Sequence, residues 1–379
     1  MNHIPFNKPY LTGNETNYIY QAVQSGKISG DGIFTKKCHE FFELKYGFKK
    51  CLLTTSCTDA LEMAAILSGI EDGDEVIIPS YTFVSTANAF VLRGAKIVFC
   101  DSQENHPNID DTQIERLITS KTKAIVVVHY AGVACEMDNI CSIATKHNLF
   151  LIEDAAQAID SFYKGRPLGS FGHFAAFSFH ETKNVISGEG GMLVINDLDF
   201  VERAEIIREK GTNRSKFFRG EIDKYGWVDI GSSYLPSDII AAFLFAQLEN
   251  LEIIQDKRLN LWNRYYHNLA KSHLVDEQFG IPVVFDYASN NAHMFYLKCK
   301  NLEQRNQLID FLKSKDIHAV FHYLSLHKSE FFLKNNKLYE LTNADEFTVT
   351  LVRLPLYFEL EYAQVDFITN SILEFFINK

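Results

Sequence analysis

The sequence predicts an α/β protein with a mainly parallel sheet, joined to a smaller α+β part. Three observations carry this. Strand-like and helix-like segments alternate from about residue 50 to 200. The strand-like segments are apolar throughout rather than at every second residue, which suits strands buried on both faces. The segments joining them are short, as expected of strand–helix repetition around one sheet.

The elements follow in order. The strand-like CLLTTS (51–56) leads into TDALEMAAILSGI (58–70), rich in Ala, Leu, Met and Glu, which favour helix. DEVIIPS (74–80) is followed by VSTANAFVLRG (84–94), and AKIVFCD (95–101) by a helical stretch from Asp110 to Thr119. KAIVVVHYAG (123–132) precedes EMDNICSIATKHN (136–148), and LFLIEDAA (149–156) closes the alternation. Two more apolar runs, FAAFSF (174–179) and GGMLVIN (190–196), flank the polar stretch SFHETKNVISGEGG (178–191). Residues 200–265 read as helical. AHMFYLKCK (292–300), a helix from Leu302 to Lys315, IHAVFHY (317–323) and a final helix after Tyr362 form the smaller part. The expected division is a large domain at 1–250, N-terminal segment included, and a small domain at 251–379.

Composition narrows the function. The chain has 379 residues and a net charge of −11, which argues against general binding to nucleic acid or anionic membranes. The seven cysteines contain no C-x-x-C pair, so free thiols in a reducing cytoplasm are expected. The N-terminus has no signal-peptide pattern, and no apolar run reaches the roughly 18 residues of a membrane span.

Ligands of open parallel sheets sit beyond the carboxyl ends of the strands. That places Thr54–Thr58, Ser80–Phe83, His129–Tyr130, Asp154–Gln157 and Ser178–Lys183 first among candidates. HETKN opens like a zinc-binding helix, but Asn184 stands where the second histidine belongs. His318, His322 and His327 are read as structural rather than metal-binding. No P-loop or dinucleotide glycine pattern is present; glycines 188, 190 and 191 suit a turn or a close backbone approach. The start of the helix after Thr55 offers free N–H groups for a phosphate, or a simple N-cap at Ser56 or Thr58. Glu153 and Asp154 end an apolar strand, where a carboxylate needs a partner. Lys183 lies between two apolar runs, and a desolvated lysine is the residue that forms Schiff bases. A lysine, a facing carboxylate and a phosphate-binding helix start are together the parts of a pyridoxal-phosphate (PLP) site.

Longer runs add a resemblance. PSYTFVSTANAFVLRGAKIVFCD, VVVHYAGVACEMD, LIEDAAQA, FSFHETKN…GEGG, REKGTNRSKFFRG and FHYLSLH resemble the DegT/DnrJ/EryC1/StrS sugar-nucleotide aminotransferases over nearly the whole chain. The resemblance is strongest to the branch that makes dTDP-4-amino-4,6-dideoxygalactose. It implies a fold type I aminotransferase: a large, mainly parallel seven-stranded sheet domain and a smaller C-terminal α+β domain, working as a homodimer with shared active sites. It implies PLP as cofactor, with Lys183 as the Schiff-base lysine. Asp154 would bond the pyridine nitrogen, Gln157 the ring hydroxyl side, and Phe83 would stack on the ring. Ser56, Cys57 and Ser178 would hold the phosphate. In GSSYLPSD, Ser233 stands where many relatives have an asparagine that reaches the partner's phosphate, and Leu235 where arginine is common. The related sugar 3-dehydratases carry histidine in place of the lysine, so Lys183 favours aminotransfer. L-Glutamate as donor and dTDP-4-keto-6-deoxy-D-glucose as acceptor are implied, with Arg214, Arg219, His322 and Tyr323 as substrate contacts. A gluco C4 amine, or amination at C3, is the nearer alternative; a PLP-binding regulator is the remoter one.

Overall fold

The computed structural model describes residues 3–377. Helices α1 (Glu15–Gln24) and α2 (Ile33–Tyr46) lead into β1 (Lys50–Thr54), followed by α3 (Cys57–Leu67) and β2 (Glu75–Pro79). Then come α4 (Val84–Val91), β3 (Lys96–Cys100), α5 (Asp111–Leu117), β4 (Thr122–Val128), α6 (Met137–Lys146) and β5 (Phe150–Asp154). A short hairpin of β6 (Phe162–Tyr163) and β7 (Arg166–Pro167) precedes β8 (Phe174–Ser178) and β9 (Gly191–Ile195).

Seven of these strands form one sheet in the order β1-β9-β8-β5-β4-β2-β3. Strand β9 runs antiparallel to both β1 and β8, and the other neighbours pair parallel. Alternate residues feed alternate faces. Ile125, Val127, Ala175 and Phe177 enter one core beneath α2, α6 and α9 (Asp238–Leu248). Ala124, Val126, Phe174 and Ala176 enter a second core against α3 and α4. Both faces are covered, which is why the strands are apolar throughout.

Beyond β9 the chain continues as α7 (Val201–Arg208), the short α8 (Arg214–Phe218), α9 and the long α10 (Leu251–Ala270). The helical expectation for 200–265 fails between Arg219 and Ser237, which form no helix. Glycines and a proline explain it. Gly211 has φ +75° and packs so closely on this segment that a Cβ there would lie 1.9 Å from the Asp229 carbonyl oxygen. A second sheet joins β10 (Phe279–Gly280), β11 (Phe295–Cys299), β13 (Leu351–Leu354) and β12 (Val320–Phe321), in that order. Helices α11 (Leu302–Ser314), α12 (Glu330–Leu333), α13 (Thr342–Thr350) and α14 (Tyr362–Ile377) complete the chain. A third core gathers residues of α10, α11, α14 and the second sheet, together with Ile4. Ile4 pairs with Ile317, so the N-terminal segment packs on this C-terminal part. Among the described residues no helix is long and apolar enough to cross a membrane.

The two carboxylates ending β5 point to opposite faces of the sheet. Glu153 is fully buried and accepts the backbone N–H groups of Gly169, Phe171 and Gly172 at 2.7, 2.7 and 2.8 Å. His129 Nε2 lies 3.0 Å from its Oε2. Glu153 therefore ties the loop after β7 to the sheet and leaves Asp154 to the other side. Glu153→Gln places an amide donor against these donors, and a fall in folding stability of about 3 kcal/mol is expected in denaturant titration.

Candidate active site

A cavity of about 540 Å³ opens at the carboxyl edge of the large sheet. Lys183 lies in its wall. Strand β8 ends at Ser178, and the chain loops out and returns as β9. The loop is closed by backbone bonds: Phe179 N–H to Gly190 O at 2.8 Å and Glu181 N–H to Gly188 O at 2.9 Å. Gly188, at φ +79°, supplies the left-handed turn. Lys183 N–H then bonds His180 O at 2.9 Å. The buried Asn184 beside it donates to Gln255 and to the Asn291 carbonyl, both at 2.8 Å, and faces His293 Nδ1 at 2.9 Å. The lysine is thus set between the sheet edge and the C-terminal part of the chain. Burial drives its amine down to about 8, against the opposing pull of Cys57 and Asp154. That brings the free amine close to neutral pH.

Asp154 lines the same cavity. Its Oδ2 accepts from Thr86 Oγ1 at 2.7 Å and its Oδ1 from Ala156 N–H at 3.1 Å. Burial pushes its carboxyl up, with those hydrogen bonds opposing. A cation entering the cavity beside it would draw it back down.

Helix α3 aims its N-terminus at the cavity. Ser56 is its N-cap, with Oγ accepting Asp59 N–H at 3.1 Å, and Cys57 is its first residue. Ser56, Cys57, Ser178 and Gly190 all line the cavity. Gly191 makes this approach possible: a Cβ there would meet Ser56 C and Cys57 N at 2.3 and 2.4 Å. The helix start, its free N–H groups and the Ser178 hydroxyl form a cradle for an anion. Phe83 is 55% exposed and lines the cavity, with its ring 6.1 Å from that of Tyr323. Gln157 accepts Ala131 N–H at 2.7 Å and donates to the Tyr323 hydroxyl at 3.1 Å. His322 stacks on Tyr323 at 3.6 Å and bonds the Tyr130 hydroxyl through Nδ1 at 2.6 Å.

The remaining residues singled out in the sequence lie elsewhere. Ser233 is exposed and pairs with Glu209 outside this cavity. Arg214 and Arg219 line a second cavity of about 790 Å³, with Lys27, Lys50 and Arg208. Both carry acid partners, Arg214 at 3.8 Å from Glu209 and Arg219 at 2.7 Å from Glu205. His318 packs edge-on to Phe6, and His327 bonds Ser80 through Nδ1 at 2.7 Å. His180 holds its own loop through Thr182 at 2.9 Å and faces Glu189 at 3.8 Å. Glu181 accepts Asn7 Nδ2 through its backbone oxygen at 3.1 Å.

Sequence reasoning missed Thr86, Tyr130's bond to His322, His293 and Arg353. Thr86 lies three residues past the Ser80–Phe83 sheet-edge candidates. Arg353 gives a fainter signal, a lone cation inside the apolar run LVRLPL.

The wall fits PLP. The lysine has a depressed pKa, a buried carboxylate stands without a lysine or arginine bonded to it, and a glycine-permitted helix start provides the anion cradle. Fold and site define a PLP-dependent aminotransferase of the fold type I class. The DegT/DnrJ/EryC1/StrS aminotransferase family model matches residues 9–373, and the chain belongs to that family. GDP-perosamine synthase of Escherichia coli O157:H7 is 31% identical, with all of both chains aligned. Spore coat polysaccharide biosynthesis protein SpsC of Bacillus subtilis is 31% identical over 98% of this chain and 97% of its own. The PLP form of the sugar aminotransferase Spr1654 from Streptococcus pneumoniae superposes with a TM-score of 0.92 at 25% identity, covering 100% of this chain and 99% of that one. With ¹³C-methylated lysines in the cofactor-free protein, one resonance, lost in Lys183→Ala, is expected to titrate near 8, while ordinary lysines titrate at about 10.4.

Proposed function

We propose that the chain transfers the amine of L-glutamate to a ketosugar nucleotide, dTDP-4-keto-6-deoxy-D-glucose, giving dTDP-4-amino-4,6-dideoxy-D-galactose and 2-oxoglutarate. The observation that carries the transfer chemistry is Lys183, buried with a depressed pKa in the cavity that also holds Asp154. The resemblance to the dideoxygalactose branch and Ser233 support the particular sugar. GDP-perosamine synthase, a relative named for a GDP sugar, shows that the base is a separate choice within the family.

Bound PLP supplies an electron sink for cleavage of the donor's Cα–H bond. Lys183 would hold the cofactor. Its free amine would take the proton from the donor's Cα and act as the acid that returns it. In the second half-reaction the same amine would give a proton to the acceptor carbon. Asp154 would keep the ring nitrogen protonated. The α3 start and Ser178 would hold the phosphate, Phe83 would cover the ring, and Gln157 would contact its hydroxyl side. His322 and Tyr323 stand by the sugar.

The same reading includes a cytoplasmic homodimer, product use in surface polysaccharide, and a domain division near residue 250. Exposed apolar side chains in and after α8 support its dimer. Trp227 is 84% exposed and Phe218 67%, beside exposed Tyr225, Val228 and Ile230. In that reading Ser233, Arg214 and Arg219 would serve the partner's site, the arginines toward the diphosphate, as the family resemblance implies.

Incubation with PLP, L-glutamate and the ketosugar nucleotide tests the reaction. An amine at C4 with the axial coupling pattern by NMR is expected; an equatorial pattern or a C3 amine refutes the assigned product. Lys183→Ala is expected to abolish turnover, and surviving turnover removes the lysine from its role. Charge reversal at Arg214 or Arg219 is expected to raise KM for the sugar nucleotide about tenfold or more, with KM for glutamate little changed. Equal effects on both would defeat the placement of these arginines.

A further inference from the structure

His293 turns a bare ring nitrogen toward the Lys183 cavity, and the amides behind it fix that state. The residue stands just before β11, is 5% exposed and lines the cavity with Lys183. Asn184 Nδ2 donates to the Asn291 carbonyl and to Gln255 Oε1, both at 2.8 Å. A backbone carbonyl only accepts, so the amide nitrogen faces Asn291 and the amide oxygen faces His293. Asn291 holds the ring's own backbone: its Nδ2 donates to the carbonyls of Gln157 and Ile159 at 2.8 and 2.9 Å, and its Oδ1 accepts His293 N–H at 3.0 Å. His293 Nδ1 lies 2.9 Å from Asn184 Oδ1. An amide oxygen cannot donate, so Nδ1 carries the hydrogen. Burial, with Lys183, Arg353 and Arg258 nearby, holds the imidazole well below its usual pKa. The ring is therefore neutral, with one N–H, and Nε2 is left as an acceptor. Nε2 bonds none of the described residues and, unlike the walled-in Nε2 of His106, stays accessible.

A lone pair takes a hydrogen, and the two substrates differ in what they can give. The amino acid's carboxylates carry no hydrogen at neutral pH, and its amine is the group that reacts. The ketosugar carries hydroxyls. Its C4 must meet Lys183, whose wall His293 shares. On one side C4 is bonded to C3, which bears a hydroxyl. On the other side stands C5 with its methyl group, which has no hydrogen to give. We propose that His293 Nε2 accepts the C3 hydroxyl of the ketosugar and so selects acceptors that carry one. A site built to bond a hydroxyl rejects the analogue lacking it, because its own buried group is then left unpaired. This rests on the aminotransferase reading above and adds to it a specificity residue for the acceptor. The bond that sets the ring also ties down Asn184, the neighbour of Lys183, so lysine and acceptor nitrogen are held by one network.

The test pairs a variant with an analogue, in PLP-loaded protein checked for cofactor content by absorbance and for folding by thermal melting. His293→Asn keeps an amide N–H in place of Nδ1–H and removes Nε2. Its KM for the ketosugar nucleotide is expected to rise about tenfold, the worth of one hydrogen bond, while KM for L-glutamate moves less than about twofold. The 3-deoxy ketosugar nucleotide is expected to be about tenfold poorer than its parent with the wild-type protein and equal to it with His293→Asn. Equal discrimination by both proteins overturns the inference, as does a rise in KM shared by glutamate. ¹⁵N NMR of the cofactor-free wild-type protein reads the ring without turnover. His293 is expected to keep its hydrogen on Nδ1 and not to titrate between about pH 5.5 and 8. A hydrogen on Nε2 overturns the inference even where the variant fails to fold. Failure of the wild-type protein to aminate the ketosugar counts against the assigned reaction instead. In that case calorimetric binding of a dTDP-hexose that weakens on removal of its C3 hydroxyl, in the wild type and not in His293→Asn, still supports the contact, and binding indifferent to that hydroxyl overturns it.

Discussion

The close approach of Gly191 to the first turn of α3 is the constraint on which the site depends. A single Cβ at that position would meet backbone atoms of Ser56 and Cys57 at 2.3 to 2.4 Å. Without the glycine, β9 could not return beside β8 and still leave the helix start at the sheet edge. The anion cradle, Ser178 at the end of β8 and the loop that carries Lys183 all follow from this one packing. The antiparallel direction of β9 follows too, because a loop of twelve residues, 179–190, returns the chain next to the strand it left. Lys183 is held at the carboxyl edge by both strands at once.

A second division of labour occurs one residue apart. Glu153 and Asp154 are adjacent, and the pleat sends them to opposite faces. Glu153 receives three backbone N–H groups and His129, so its charge is used up in holding a loop. Asp154 receives a hydroxyl and one N–H, and keeps acceptor capacity toward the cavity. The same residue type at the same strand end is structural in one case and chemical in the other. Only the direction of the side chain separates them.

That explains what the sequence made legible and what it did not. The strand and helix alternation was readable because each segment buries both faces or one stripe, a local property. Lys183, Asp154 and the α3 start were readable because the ends of parallel strands collect ligands. The partners of these residues were not readable, since they arrive from far along the chain. His322 meets Tyr130 across 192 residues, and Asn184 meets His293 across 109. Arg353 sits on a strand of a different sheet, and its local sign is faint, a lone cation inside the apolar run LVRLPL. The segment 219–237 reads as helical in the sequence, and its three glycines, Pro236 and the close packing of Gly231 on Gly211 override that propensity.

The charges of the chain are arranged by whether they have partners. The protein is strongly acidic, yet the proposed substrates are anions. In the second cavity Arg208, Arg214 and Arg219 are each matched by an acid at 2.6 to 3.8 Å, and Lys27, Lys36, Lys50 and Lys210 add positive charge to the same wall. In the Lys183 cavity the cations themselves are unpaired. Lys183 and Arg353 have no ion-pair partner there, and Asp154 is already bound to Thr86 and Ala156. A cavity holding unpaired cations attracts anions more strongly than the chain's total charge suggests. The acidic exterior sets no limit on what this interior binds.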